Sequence, residues 1–175
     1  MFTDRFFLPD LYLNDIYQIT PDLLSKQGIR AVLLDIDNTL VTYDDPKPTP
    51  PVLSWFSTLK ENGVSIALIS NNNRRRVELF NEELKFFATW NSGKPSRRCY
   101  RAAMAALASD RTDTAVIGDQ IFTDIWSARR LGLFSILVQP IQDKSSLFFR
   151  FKRALERPFL RRYRQLHPVP DGTQP

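Results

Sequence analysis

Residues 30–41 read RAVLLDIDNTLV, an apolar run that ends in two acids. The run from Arg30 to Ile36 predicts a strand that is buried on both faces of a sheet, because apolar residues fill it without alternation. Asp35 and Asp37 stand where this strand ends. Side chains two positions apart on a strand point to the same side, so both carboxylates are expected in one pocket. Two close carboxylates repel each other, and a bound cation or a shared proton is needed to offset that repulsion.

Further short apolar runs follow along the chain, with helical patterns between them. This alternation predicts βαβ units and a parallel sheet. A chain of 175 residues, 43% hydrophobic and 25% charged, has the size and composition of one globular domain. The expected fold is α/β, with a doubly wound, mainly parallel sheet sandwiched by helices. The predicted strands are Arg30–Ile36, Val64–Ile69, Phe86–Ala88, Thr114–Ile117 and Phe134–Val138, and the predicted helices begin near Pro50, Arg74, Pro95 and Thr123.

Composition excludes several classes of protein. The longest apolar run, Ala102–Ala108, is far shorter than the roughly 18 residues of a membrane span. The N-terminus lacks the basic and then apolar layout of a signal peptide, so a cytoplasmic location is expected. Cys99 is the only cysteine, which excludes an internal disulfide and a metal site built from several cysteines.

The positive charge is concentrated near the C-terminus. The formal net charge is +5, and the segment from Lys144 to His167 holds eight Lys or Arg residues against one acid, Glu156. The rest of the chain is therefore slightly acidic. An anionic partner, if there is one, is expected to meet this segment.

Polar side chains also follow two other predicted strands. Ser70 comes directly after the second strand, and Asp119 and Asp124 follow the strand at Thr114. In doubly wound sheets, ligands bind beyond the carboxyl ends of the strands, so these groups are expected beside the two acids of residues 30–41. Several carboxylates with oxygen ligands only favour Mg²⁺.

Lys94 and the aspartates also have ordinary structural interpretations. Lys94 precedes a proline that is expected to open a helix, and a lysine beside helix N-terminal amides suits a bound phosphate. Taken alone, Lys94 suits a solvated surface, and Ser70 and Asp119 suit helix caps. Their joint order, each at a strand end or the start of a helix, favours a single site.

Taken together, these residues resemble the four motifs of the haloacid dehalogenase (HAD) superfamily. The motif hhhDxDxT matches Leu33–Thr39, a strand ending in Ser or Thr matches Ile66–Ser70, a lysine matches Lys94, and GDx₄D matches Gly118–Asp124. Within the superfamily the chain is similar to the YqeG-type phosphatases of subfamily IIIA, a family that includes mitochondrial phosphatidylglycerophosphate phosphatases. The similarity runs nearly end to end, with one departure at Ser92, where the family usually has a small apolar residue.

The resemblance implies an aspartyl-phosphate mechanism with Mg²⁺ as the cofactor. Asp35 would be the nucleophile and Asp37 the general acid and base, with Ser70 and Lys94 completing the catalytic set. The implied metal ligands are Asp35, the backbone carbonyl of Asp37, Asp119, and Asp124 directly or through water. The implied phosphate-binding or substrate-binding residues are Asn38, Thr39, Ser70, Asn71, Lys94 and Arg76.

HAD enzymes usually carry a cap domain, and the intervals that follow the first and second motifs are too short to hold one. An open site suits a phosphate carried on something large. We divide the chain into a catalytic domain at residues 1–145, a basic amphipathic segment at residues 146–167 and a disordered tail at residues 168–175. Within the segment, apolar residues recur at helical spacing up to Phe159, interrupted near Pro158, and the extension after Pro158 is difficult to explain as core.

Two interpretations of the basic segment remain open at this stage, namely a helix that packs on the sheet and a contact through residues 146–164 with an anionic membrane surface. The leading predicted function is hydrolysis of phosphatidylglycerophosphate at a membrane surface by a Mg²⁺-dependent phosphatase, with Leu8–Ile19 as a second surface segment. The enzyme would then lie in the cytoplasm or peripherally on the inner face of the membrane.

Two alternatives are a phosphatase of soluble or protein-borne phosphate and a non-catalytic protein associated with RNA or ribosomes. Nucleic acid is not expected as a partner, because no motif for reading base edges is present. His167 is expected to be unstructured, and the oligomeric state stays open.

Overall fold

The computed structural model describes residues 4–142 and 147–168. Six parallel strands form one sheet in the order β1-β6-β5-β2-β3-β4, and helices cover both of its faces. The expected doubly wound α/β fold is therefore confirmed. The strands are β1 (Leu11–Leu13), β2 (Ala31–Leu34), β3 (Ser65–Ile69), β4 (Phe87–Thr89), β5 (Thr114–Gly118) and β6 (Phe134–Val138). The helices are α1 (Asp4–Phe7), α2 (Pro21–Lys26), α3 (Pro50–Glu61), α4 (Arg74–Asn81), α5 (Arg98–Ala106), α6 (Trp126–Leu131) and α7 (Leu147–Leu166).

The central strand β2 determines which face of the sheet carries the two acids of residues 30–41. Leu34 pairs with β3 on one side and with β5 on the other. Leu34 and Ile36 belong to the core beneath α3, whereas Leu33 belongs to the core on the opposite face. Because side chains alternate along a strand, the odd-numbered Asp35 and Asp37 continue on the face of Leu33.

The segment Leu8–Ile19 was predicted as a surface for membrane contact, and this prediction is wrong. Its residues 11–13 form β1, which pairs with β6 at the edge of the sheet. Ile16 and Ile19 are buried in the core, where the indole of Trp55 donates a hydrogen bond to the carbonyl of Ile19. Most of the apolar side chains of this segment therefore pack against the core, although Tyr17 is 47% exposed.

Two helix starts differ from the prediction. Pro95 was expected to open a helix, but α5 begins three residues later, at Arg98, so its first turn does not start beside Lys94. The helix expected from Thr123 is preceded by a π-helical turn, Ile121–Ile125, which leads directly into α6. As predicted, α6 ends at Gly132, whose φ of 71° suits a left-handed helix end.

Helix α7 differs most from the prediction. It runs without a break through the exposed Pro158, where a helix interruption was expected. Phe159, Leu160 and Tyr163, in the extension that was thought unsuited to a core, pack against the domain. His167 is not unstructured, because its ring stacks on Tyr163 with ring centroids 4.3 Å apart.

The outward face of α7 keeps apolar side chains in solvent. Phe151 is 63% exposed and Leu155 is 47% exposed. The predicted boundary at residues 145–146 and the tail beyond residue 168 lie outside the described residues, as do the side chains of Phe148, Arg150 and Lys152. Among residues 4–142 and 147–168, no helix combines the length and the hydropathy needed to cross a bilayer.

The structure also describes the whole interval in which a cap would be inserted after the first or the second motif. Residues 40–93 are all described, and they contain only α3, β3, α4 and β4 with their connecting loops. A separately folded cap is therefore absent from this interval, in agreement with the prediction.

Candidate active site

Three carboxylates meet at the carboxyl end of the sheet. Asp35 follows β2, Asp119 follows β5, and Asp124 lies in the π-helical turn after β5. One oxygen from each lies within 4.8 Å of the others, and all three residues are buried. Motifs that are far apart in the sequence are thus brought together by adjacent strand ends.

Lys94 lies between two of these carboxylates. Its Nζ is 2.5 Å from Oδ1 of Asp35 and 2.7 Å from Oδ1 of Asp124. The Lys94 backbone N–H donates to the side-chain oxygen of Asn71 at 2.8 Å, and this contact fixes the backbone of the lysine next to the loop after β3. Burial by itself would lower the pKa of Lys94, but the carboxylates of Asp124 and Asp35 together raise it well above its usual value.

Burial dominates the ionisation of the carboxylates. It raises the pKa of Asp35 to about 8, with Lys94 acting in the opposite direction. It raises the pKa of Asp119 to about 6, with Arg153 opposing the shift. A bound divalent cation would stabilise the ionised form of these buried carboxylates. A site whose ligands are all oxygen atoms suits a hard ion such as Mg²⁺. The residues present therefore fit the metal that the resemblance implies.

Gly118 leaves space for the carboxylate of Asp124. A Cβ atom at Gly118 would lie 2.6 Å from both Cβ and Oδ2 of Asp124. Asp124 is itself held by its ion pair with Lys94, so it could move away from a Cβ atom only by breaking that pair. A glycine directly before Asp119 is thus a steric requirement of the site.

Asp37 belongs to a second group of side chains on the rim. Its Oδ2 accepts a hydrogen bond from the amide of Asn72 at 3.0 Å, and its Oδ1 accepts one from Nε of Arg76 at 3.1 Å. The Asp37 side chain is not among the three clustered carboxylates. This separation agrees with the implied use of its backbone carbonyl, rather than its side chain, toward a metal.

The loop after β3 orders the second motif. The hydroxyl of Ser70 accepts a hydrogen bond from the backbone N–H of Asn72 at 3.0 Å, and Ser70 is buried. Asn73 caps α4 by accepting from the N–H of Arg76. Ser70 therefore ends the strand in a turn and is not the cap of the following helix.

Two of the predicted phosphate-binding residues have mainly structural contacts. Asn38 adopts φ 70°, and its side chain exchanges two hydrogen bonds of 2.8 Å with the backbone of Gln142. The Asn71 side chain holds the backbone of Lys94. Thr39 remains in the site, with Oγ1 3.3 Å from Asp35 Oδ2 and 3.4 Å from Asp119 Oδ1.

Tyr43 lies near the site but was not predicted. Burial, together with the nearby carboxylates of Asp119, Asp35 and Asp37, raises its pKa. Tyr43 comes only four residues after Thr39, yet no motif marks it.

Arg153 and Glu156 of α7 were also not predicted. Arg153 donates from Nη2 to Oδ2 of Asp119 at 2.5 Å and from Nη1 to the carbonyl of Asp119 at 2.7 Å. Glu156 is 1% exposed and accepts the N–H of Ile121 at 2.9 Å. The only sequence signal is an arginine and a glutamate three positions apart, a spacing that is common on exposed helix faces.

The ion pairs of Arg74 and Arg76 are with carboxylates other than Asp35, Asp119 and Asp124. Arg76 was predicted to bind substrate, and in the structure it pairs with Asp37 and donates to the carbonyl of Pro46. Arg74 pairs with Glu78 on the exposed face of α4.

Comparison with known proteins adds to this geometry. Residues 7–132 match the family of haloacid dehalogenase-like hydrolases. The chain is 38% identical to the probable phosphatase YqeG of Bacillus subtilis, over 89% of this chain and 91% of that protein. It is 24% identical to the chloroplastic/mitochondrial phosphatidylglycerophosphate phosphatase 1 of Arabidopsis thaliana, and the chain spans about half the length of that protein.

The fold is also similar to that of a solved enzyme. The crystal structure of a HAD family enzyme from Bacteroides thetaiotaomicron in complex with magnesium superposes with a TM-score of 0.52. The match covers 69% of this chain and 98% of that chain at 16% identity, so it concerns the fold alone.

Proposed function

Because the chain belongs to the haloacid dehalogenase-like hydrolase family, it is a hydrolase, and we propose that it is a Mg²⁺-dependent phosphatase acting through a phosphoryl-Asp35 intermediate. The observation that carries this proposal is the cluster of Asp35, Asp119 and Asp124, in which Lys94 pairs with both Asp35 and Asp124. A protein without catalytic activity has no evident need for three buried carboxylates in one group, because such a group is costly to bury.

The side chains of the site would divide the reaction between them. Asp35 would attack phosphorus as the bond to the leaving oxygen breaks, and Asp37 would give its proton to that oxygen. Asp37 would then take a proton from the water that attacks phosphorus, and the bond to Asp35 would break. The hydrogen bond from Asn72 and the ion pair with Arg76 would hold Asp37 in position between these two proton transfers.

The metal would be held by Asp35, the Asp37 carbonyl, Asp119 and Asp124. When bound, Mg²⁺ supplies positive charge that polarises the phosphoryl group. Lys94 would offset the charge of both Asp35 and the phosphoryl oxygens, and Ser70 would bind one of these oxygens through its hydroxyl.

The first test is phosphate release from p-nitrophenyl phosphate with Mg²⁺ and with EDTA. Asp35→Asn is expected to remove turnover while the fold survives, because an amide oxygen is a poor nucleophile for phosphorus. Asp44→Asn is the matched control, since Asp44 is an exposed acid in the loop that follows the same motif. Activity of more than a few per cent in Asp35→Asn would rule out Asp35 as the nucleophile.

We propose, as the finer function, that the phosphate is carried on a lipid, with phosphatidylglycerophosphate as the leading substrate. The absence of a cap from residues 40–93 and the similarity to a phosphatidylglycerophosphate phosphatase support this proposal. Helix α7 supports it as well, because Phe151 and Leu155 are exposed one turn apart and Arg157 and Arg161 are exposed on the same helix. Basic residues near an anionic membrane contribute about 1 kcal/mol each.

Mixed micelles of the lipid, compared with p-nitrophenyl phosphate and a soluble sugar phosphate, test this assignment. The double variant Phe151→Ser/Leu155→Ser is expected to lose roughly tenfold or more of its micellar activity, because burial of each side chain contributes about 1.5–3 kcal/mol. Turnover of p-nitrophenyl phosphate is expected to stay unchanged. Leu79→Ser is the control, because Leu79 is an exposed leucine on α4, distant in sequence from α7.

The other outcomes favour the alternatives. Equal or better turnover of the soluble esters would keep the phosphatase and rule out the lipid assignment. Mg²⁺ binding without turnover of any ester would favour a binding protein.

A further inference from the structure

We propose that Arg153 is a positioning residue of the active site, which holds Asp119 in the orientation that binds Mg²⁺. The inference rests on the proposed function, because it concerns the metal that Asp119 would hold. Its consequence is that helix α7 is a component of the site, although its residues lie beyond the four motifs that identify the family.

The two oxygens of Asp119 have different partners. Oδ1 is 3.4 Å from the hydroxyl of Thr39, which is also 3.3 Å from Asp35 Oδ2, so Oδ1 faces the other carboxylates. Oδ2 is 2.5 Å from Nη2 of Arg153. An arrangement in which one carboxylate oxygen is held by a neighbour while the other faces a metal is typical of the groups that orient metal ligands.

Arg153 holds the backbone of the same residue as well. Nη1 lies 2.7 Å from the carbonyl oxygen of Asp119 and 2.9 Å from Oε2 of Glu156. The second oxygen of Glu156 accepts the N–H of Ile121 at 2.9 Å. Arg153 and Glu156 therefore bind the backbone on both sides of Gln120, at Asp119 and at Ile121. These contacts limit rotation of the Asp119 side chain.

Arg153 also compensates the charge of two buried carboxylates. Asp119 has 0% side-chain exposure and Glu156 has 1%, and the guanidinium of Arg153 pairs with both. An arginine can do this because its planar fork carries five donors, which a lysine cannot reproduce.

The test uses the full chain and Mg²⁺ alone, with binding measured by titration calorimetry. The double variant Arg153→Gln/Glu156→Gln takes the guanidinium away from Asp119 and also removes the charge of Glu156, so that Glu156 is not left as a buried carboxylate without its cation. Its Mg²⁺ affinity is expected to fall about 10–100-fold, the usual effect of removing a group that orients a metal ligand. Arg157→Gln, an exposed arginine one turn further along α7, is the control and is expected to bind Mg²⁺ as the wild type does.

Kinetics distinguish positioning from a structural role. For the double variant, the Mg²⁺ concentration that gives half-maximal turnover of p-nitrophenyl phosphate is expected to rise with the dissociation constant. The kcat at saturating Mg²⁺ is expected to return close to the wild-type value. Arg153→Lys keeps a cation beside Glu156, so its Mg²⁺ affinity is expected to lie between those of the wild type and the double variant. It serves as the test if the double variant does not fold.

Three outcomes would overturn the inference. Unchanged Mg²⁺ affinity in a folded variant would show that Asp119 does not need Arg153, and tighter binding would show that Arg153 competes with the metal. In both cases the proposed phosphatase would stand. Failure of the wild-type chain to bind Mg²⁺ would overturn the metal part of the proposed function, and the role of Arg153 with it.

Discussion

The four site aspartates have cationic partners that come from three different parts of the chain. Lys94 pairs with both Asp35 and Asp124. Asp37 pairs with Arg76 of α4, and Asp119 pairs with Arg153 of α7. All four aspartates are buried, so removing one cation would leave a carboxylate without compensation. The site thus contains four carboxylates and three positive groups, so it has one cation fewer than it has acids.

This charge distribution predicts how stability changes with pH in the absence of metal. The pKa of Asp35 is about 8 in the folded chain, far above its usual value near 4 in an unfolded one. The folded chain therefore holds an extra proton between these pH values, so its free energy of unfolding falls as the pH rises toward 8. Asp119, with a pKa of about 6, adds to this fall at lower pH.

Mg²⁺ is expected to oppose that loss, because it binds ionised carboxylates and competes with protons. Thermal melting with EDTA should show a Tm that falls between about pH 6 and about pH 8, and Mg²⁺ should raise the Tm more at the higher pH. Asp35→Asn cannot titrate, so its Tm with EDTA should depend less on pH. Parallel Tm curves for the two proteins would contradict the prediction.

At the scale of elements, α7 and the edge strand β1 depend on each other. The hydroxyl of Tyr163 accepts a hydrogen bond from the backbone N–H of Tyr12 at 3.1 Å, and the two rings meet edge to face with centroids 6.0 Å apart. Tyr163 is 8% exposed, so water cannot easily replace this contact. The helix supplies the acceptor that an edge strand would otherwise take from solvent.

Tyr163→Phe tests this contact. It leaves the Tyr12 N–H without its acceptor and is expected to cost about 1 kcal/mol, or a fall in Tm of about 2–4 °C for a chain of this size. Hydrogen exchange should become faster at the Tyr12 amide, while the amides of β2 and β3 at the centre of the sheet keep their protection. Unchanged exchange at Tyr12 would contradict the role given to the hydroxyl.

At the scale of the whole molecule, α7 contributes side chains to the core, to the site and to the exposed surface. Phe159 and Leu160 pack against the cluster of Ile121, Ile125 and Leu137, while Arg153 reaches Asp119 from the same helix. A chain cut before Leu147 would expose that cluster. Truncation is therefore a poor test of membrane binding, and the surface substitutions at Phe151 and Leu155 are the cleaner test.

The effect of truncation can itself be measured. Removal of residues 147–175 is expected to cost about 2 kcal/mol or more, the contribution of one well-buried large apolar side chain. The Tm should then fall by about 4–8 °C. Phe151→Ser/Leu155→Ser, which changes only exposed positions of α7, is the control and should melt close to the wild type. A truncated chain with an unchanged Tm would show that α7 contributes little to the core.

The sequence by itself determined the four motifs of the site and five of the six described strands, whereas the edge strand β1 was missed. Apolar runs such as those in residues 30–36 and 64–69 are local signals, because burial on both faces requires unbroken apolar residues. Asp35, Asp119 and Asp124 were predicted to share a rim because the ends of parallel strands meet at one edge. Local patterns were thus enough to place the three carboxylates, whose catalytic roles remain predictions.

Only the tertiary structure decided which side chains complete that rim. The contacts of Arg153 with Asp119 and of Asn72 with Asp37 join residues 34 and 35 positions apart, and no periodicity in the chain links them. The extension of α7 beyond Pro158 was misjudged for a related reason, because a basic helix carries the same pattern whether its apolar face meets a membrane or a core. Packing against Phe7 and Phe122 answered that question for Phe159, since apolar surface is buried by whatever apolar surface lies within reach.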